Sequence, residues 1–132
     1  MTQKAVFALA AQKWAKLVES CCPGVTRAEW HVLPDEIAIT AWITPRDGEL
    51  GDHAPERVEI VASSETVDDY LCAPELARLR AETKLVEFVI IQRLHSSSRR
   101  HAADREPVHP EHWSVSSTRL GLQTHHPRWH RY

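Results

Sequence analysis

Between Pro74 and Leu94 the chain runs PELARLRAETKLVEFVIIQRL, part of the longest stretch without Gly or Pro, residues 75–106. The segment from Pro74 to Leu94 constrains the fold more than any other. Its length corresponds to about five or six helical turns. Leu76, Leu79, Val86, Ile90 and Leu94 recur at the three-and-four spacing of an amphipathic stripe. Pro74 suits the first helical position, where its missing N–H removes no hydrogen bond. The second half, LVEFVII, is apolar almost all round and is expected to be the more deeply buried, with Ile90 as a core anchor. Val and Ile also favour strands. No turn residue separates them from the Ala, Leu, Arg and Glu run before them, so one continuous helix is the better reading.

Upstream, Thr2 to Cys22 reads as a first helix with Phe7, Ala11, Trp14, Val18 and Cys21 on its core side. Lys4, Gln12, Lys16 and Glu19 fall on the side left for water, and Pro23-Gly24 ends the helix. Three segments with two-residue alternation follow. In VTRAEWHV, Ala28, Trp30 and Val32 share one face, while Arg27, Glu29 and His31 share the other. LPDE makes a tight turn. In IAITAWIT, Ile37, Ile39, Ala41 and Ile43 face one way, and Ala38, Thr40, Trp42 and Thr44 the opposite way. PRDGELGDHAP reads as a long loop. RVEIVAS then places Val58, Ile60 and Ala62 inward, with Arg57, Glu59 and Val61 outward. Ser63 to Cys72 reads as a short helix, opened by a capping box between Thr66 and Asp69.

The expected fold is therefore α+β. It has an N-terminal helix, a three-stranded antiparallel sheet, and a short and a long helix, the helices packed on the Ile37, Ile39, Ile43, Val58 and Ile60 face. After Leu94 the apolar repeat stops, and a segment rich in Ser, Arg, His and Pro begins. This predicts one domain over 1–95 and a largely disordered His/Arg-rich tail over 96–132. Charge divides at the same place. Residues 1–95 hold 10 basic and 15 acidic side chains, a net of −5; residues 96–132 hold 6 and 3, a net of +3, with six of the nine histidines.

The motif inventory excludes several chemistries. The four glycines, Gly24, Gly48, Gly51 and Gly121, form no phosphate-binding loop, and there is no CxxC, HExxH or GxSxG. Cys21, Cys22 and Cys72 read as reduced thiols rather than a disulfide set. The opening residues lack the pattern of a secretory signal, and no apolar run reaches the length of a membrane span. The expectation is a cytoplasmic, non-enzymatic protein with no cofactor and no metal site. The tail histidines, His109, His112, His125, His126 and His130, match no zinc-ligand spacing.

Two surfaces remain as candidates. On the sheet face away from the helices, Trp42 stands among Arg27, Glu29, His31, Arg57 and Glu59, a composition suited to a protein partner or a second copy of the chain. The alternative is nucleic acid bound by the tail, through Arg99, Arg100, Arg105 and Arg128 on phosphates and Trp113 and Trp129 on bases. The order helix, three strands, helix is similar to that of double-stranded-RNA-binding domains. Where those carry a lysine-rich start to the second helix, this chain has SETVDDYLCAPE, which would repel phosphate. The small acidic secretion chaperones of bacteria also open with a helix and a three-stranded sheet, but their later strands are not read here. Neither likeness transfers a residue role.

Overall fold

The computed structural model describes residues 3–43, 56–103 and 111–122. The chain is α+β, with three helices and four strands: α1 Gln3–Cys21, β1 Val25–Val32, β2 Glu36–Ile43, β3 Glu56–Ser63, α2 Ser64–Cys72, α3 Glu75–Ala103 and β4 Glu111–Val115. The loop expected after β2 lies outside the described residues.

In α1, Phe7, Ala10, Ala11, Trp14, Ala15 and Val18 are buried, a stripe on one side of the helix, and Lys4, Gln12, Lys16 and Glu19 are exposed, as their spacing predicts. The last turn differs by one residue. Cys22 is buried and Cys21 is exposed, because the chain leaves the helix there and turns toward β1. Gly24 makes that turn at φ 87°, a conformation that disfavours any side chain. A Cβ on Gly24 would also meet the Arg93 guanidinium at 2.9 Å.

The sheet order is β1-β2-β3-β4. The first three strands form the expected antiparallel meander, with Trp30↔Ile39, Val32↔Ile37, Ile39↔Ile60 and Ile37↔Ala62 in register. A bulge between Val25 and Arg27 shifts the start of β1. The face bearing Ile37, Ile39, Ala41, Ile43, Val58, Ile60 and Ala62 is buried. Against it α1 lies over β1 and β2, and α2 over β2 and β3; α3 packs on α1, α2 and β4. Trp30 shares this face but stays 39% exposed, because β1 is an edge strand.

Two expectations are corrected. The sheet has four strands and is mixed, since β4 pairs parallel with β3 through Ile60↔Trp113 and Ala62↔Val115. Trp113, Val115, Leu120 and Leu122 are buried, so residues 111–122 belong to the core although they lie beyond the expected boundary at 95. The helix before them also runs on to Ala103. Only five residues form β4, and a parallel partner separated by two helices leaves no hairpin signal in the local sequence.

The phase of α3 is the second correction. Ala77 is partly buried and Ala81, Leu85, Phe88 and Val89 are buried, whereas Leu76, Leu79 and Leu94 are exposed and Val86 and Ile90 only half-buried. Both stripes repeat at helical spacing. The one carrying small Ala77 and Ala81 faces the domain, which suits close approach to neighbouring elements.

Candidate functional site

Alternation along each strand puts the second sheet face opposite the helices, and register assembles it in rows. Arg27, Trp42 and Arg57 form one row. Glu29, Thr40, Glu59 and His112 form the next, followed by His31, Ala38, Val61 and Ser114. The five residues singled out from sequence, Trp42, His31, Glu29, Arg57 and Glu59, thus share one face. The fourth strand adds His112 and Ser114, which no local pattern could have placed there.

Trp42 is half-buried, with the Arg27 guanidinium 4.4 Å from its ring centroid. Such stacking is worth about 0.5–1 kcal/mol at an exposed site and holds the indole in one orientation. Arg27 also pairs with Glu29, and the Thr26 hydroxyl donates to the Trp42 carbonyl at 3.2 Å. In the next row the Thr40 hydroxyl donates to Glu59 at 2.7 Å. Ala38 and Thr40 are buried, and neither belongs to the hydrophobic core on the helix side of the sheet. As short side chains of a central strand they sit below the longer ones of β1 and β3. The face is therefore a shallow floor of Ala38 and Thr40, rimmed by charges and closed at one end by a fixed indole.

No known protein family, curated protein or solved structure matches this chain.

Glu29 is engaged by Arg27 rather than by His31, so the acid–base pairing that their alternation allows does not form. Among the described residues no group of three or more His, Cys, Asp or Glu side chains is placed to hold a metal ion, and no helix is long and apolar enough to cross a membrane. Of the alternative nucleic-acid set, Trp113 is 4% exposed on the core face of β4, so its ring cannot stack on a base. Arg99 and Arg100 lie on the last turns of α3, while Arg105, Arg128 and Trp129 lie outside the described residues.

Two buried polar clusters escaped the sequence reading. In the first, the Tyr70 hydroxyl donates to Glu82 at 2.5 Å, and Lys13 approaches the same carboxylate oxygen at 3.0 Å, so one carboxylate joins all three helices. Burial, and then the Glu82 carboxylate, push the Tyr70 phenol well above its ordinary range; the phenol stays protonated and donates. Trp14 packs edge-on to Tyr70 at 5.1 Å, with its Nε1 buried.

The second cluster corrects the expected cap. Ser63, not Thr66, caps α2, accepting from the Thr66 N–H at 3.3 Å. Asp69 is fully buried and accepts from the Ser117 hydroxyl at 2.6 Å, and Thr66 lies 3.4 Å from that same hydroxyl. This contact fastens the turn after β4 onto α2. Lys13 closes the first cluster from the exposed side of α1, the second is buried, and both hold elements together.

Cys22 is buried, and loss of solvation, with the neighbouring Cys21, pushes its thiol up to about 12. A thiol held protonated in this way is a poor nucleophile. Cys21 and Cys72 are exposed and free.

Proposed function

We propose that this chain is a non-enzymatic protein-interaction module whose binding surface is the open sheet face around Trp42. The observation that carries the reading is Trp42 itself, a half-buried aromatic on the sheet face opposite the described helices, oriented by Arg27 at 4.4 Å. Aromatic and Arg side chains supply most of the energy in protein interfaces, and an indole fixed beforehand loses little entropy on binding. The rim of Glu29, His31, Arg57, Glu59 and His112 carries both signs of charge, which suits a protein partner of mixed charge better than a polyanion. The acidic start of α2, with Glu65 and the exposed Asp68, also disfavours phosphate. Three free cysteines, two of them exposed, fit a reducing, cytoplasmic setting.

The test is Trp42→Ala, compared with the unchanged chain as bait for chemical cross-linking in native extract, with and without nuclease. The expected result is stability within about 1 kcal/mol of the parent and loss of a partner captured equally well with nuclease present. Capture unchanged by Trp42→Ala, or abolished by nuclease, would refute the reading.

A further inference from the structure

The stripe that reads as core in the sequence of α3 is turned largely outward, with Leu76, Leu79 and Leu94 exposed and Val86 and Ile90 at the margin of the core. Leu76, Leu79, Thr83, Val86 and Ile90 recur at spacings of three, four, three and four, the a and d positions of two successive heptads, and Leu94 prolongs the line. Leu76 is 64% exposed, Leu79 50% and Leu94 41%, with Val86 and Ile90 half-buried. The domain itself uses the side of α3 that bears Ala81, Leu85, Phe88 and Val89, and Val86 and Ile90 pack against the margin of the same core. The outer seam runs from Leu76 to Leu94, about 27 Å at 1.5 Å rise per residue. Solitary exposed apolar residues are ordinary; an aligned row of this length is not.

We propose that this seam is a homodimer interface in which two copies of α3 pack antiparallel about a two-fold axis near Thr83 and Val86. The flanking charges select both the occupant and its direction. Arg80 and Glu87 are exposed, lie on the same flank of the seam and are one heptad apart. Setting Leu79 against Ile90 of the partner subunit, and Thr83 against Val86 of the partner subunit, brings Arg80 beside Glu87 of the partner subunit. The two-fold axis repeats that pair, as a self-complementary surface requires. A parallel arrangement would instead set Glu87 beside Glu82 of the partner subunit, and Glu82 is already committed to Tyr70 and Lys13.

A rival surface, the free edge of β1, is partly closed, because Glu19 accepts the Ala28 backbone N–H at 3.0 Å. Dimerisation through α3 leaves the Trp42 face open, so the two surfaces are independent.

Sedimentation velocity of the full chain over a concentration series is the test. The unchanged chain is expected to dimerise. Leu79→Glu, at a half-exposed position, is expected to weaken the dimer by on the order of tenfold or more while its circular dichroism and melting remain those of the parent. Arg80→Glu and Glu87→Arg are each expected to weaken it, and the double reversal to restore it; a parallel or non-helical interface would show no such restoration. A monomer at every concentration, or a dimer indifferent to Leu79→Glu, would overturn the proposal. So would a dimer that Trp42→Ala dissociates and Leu79→Glu does not. A monomer that dimerises only after removal of residues 123–132 would assign the seam to the chain's own C-terminal segment, and would overturn it equally.

Discussion

Replacing Trp113 with Ala tests whether residues 111–122 are part of the folded unit. Trp113 is 4% exposed and lies in register beside Ile60, itself 1% exposed. A buried indole removes about 150–250 Å² from water, which at about 25 cal/mol per Å² is on the order of 4–6 kcal/mol of transfer energy. Partial collapse around the cavity offsets some of this, and substitutions of this kind cost about 3–5 kcal/mol. With a urea dependence of about 1–2 kcal/mol per M for a domain of this size, the unfolding midpoint should fall by about 1.5–5 M. The control is His112→Ala, next along the strand but exposed on the opposite face, expected to stay within about 0.5 kcal/mol. Denaturant unfolding followed by circular dichroism measures both. A Trp113→Ala loss below about 1 kcal/mol would show that β4 is not docked and that the four-stranded sheet is wrong. Amide exchange gives a second reading, with protection expected at Trp113 to Val115.

The other expectations concern the packing of α3, the buried carboxylate and the thiols. Leu85→Ala, at a fully buried position, should cost about 2–5 kcal/mol, whereas Ile90→Ala on the outer side should cost clearly less; equal losses in denaturant titrations of both variants would contradict the phase of α3. Ser117→Ala removes a donor from fully buried Asp69 and should cost about 1–3 kcal/mol, read as a lower thermal midpoint; an unchanged midpoint would show that the contact fastens nothing. Cys22 keeps its proton in the folded state up to about 12, while the unfolded thiol ionises near its ordinary value of 9.0. The unfolded state therefore loses its proton first, and this contribution to stability is complete below about pH 9 and is lost as pH rises toward about 12. A thiol reagent at pH 8 should accordingly modify Cys21 and Cys72 rapidly and Cys22 only on unfolding; three equal rates would disprove it.

Local pattern was enough for most of the elements. The two-residue alternation of β2 and β3 already separates Ile37, Ile39 and Ile60 from Thr40, Trp42 and Glu59, because a side chain on a strand has only two faces to choose from. The same rule brought Trp42, Glu29, His31, Arg57 and Glu59 onto one face, so the candidate surface was legible once the meander was read. A helix allows more than two directions. In α3 two apolar stripes compete, and nothing within the helix says which meets α1 and β4. That choice is made by the shape of the neighbours, which take the side bearing Ala77 and Ala81 and leave Leu76 and Leu79 in water. The fourth strand depends still more on distant residues. Trp113 and Val115 show only a fragment of alternation, and their partners Ile60 and Ala62 lie more than fifty positions earlier, so their burial exists only after α2 and α3 have crossed the sheet. Asp69 follows from the same crossing: alone it reads as a capping residue of α2, and it becomes a buried acceptor because the turn after β4 delivers the Ser117 hydroxyl to it.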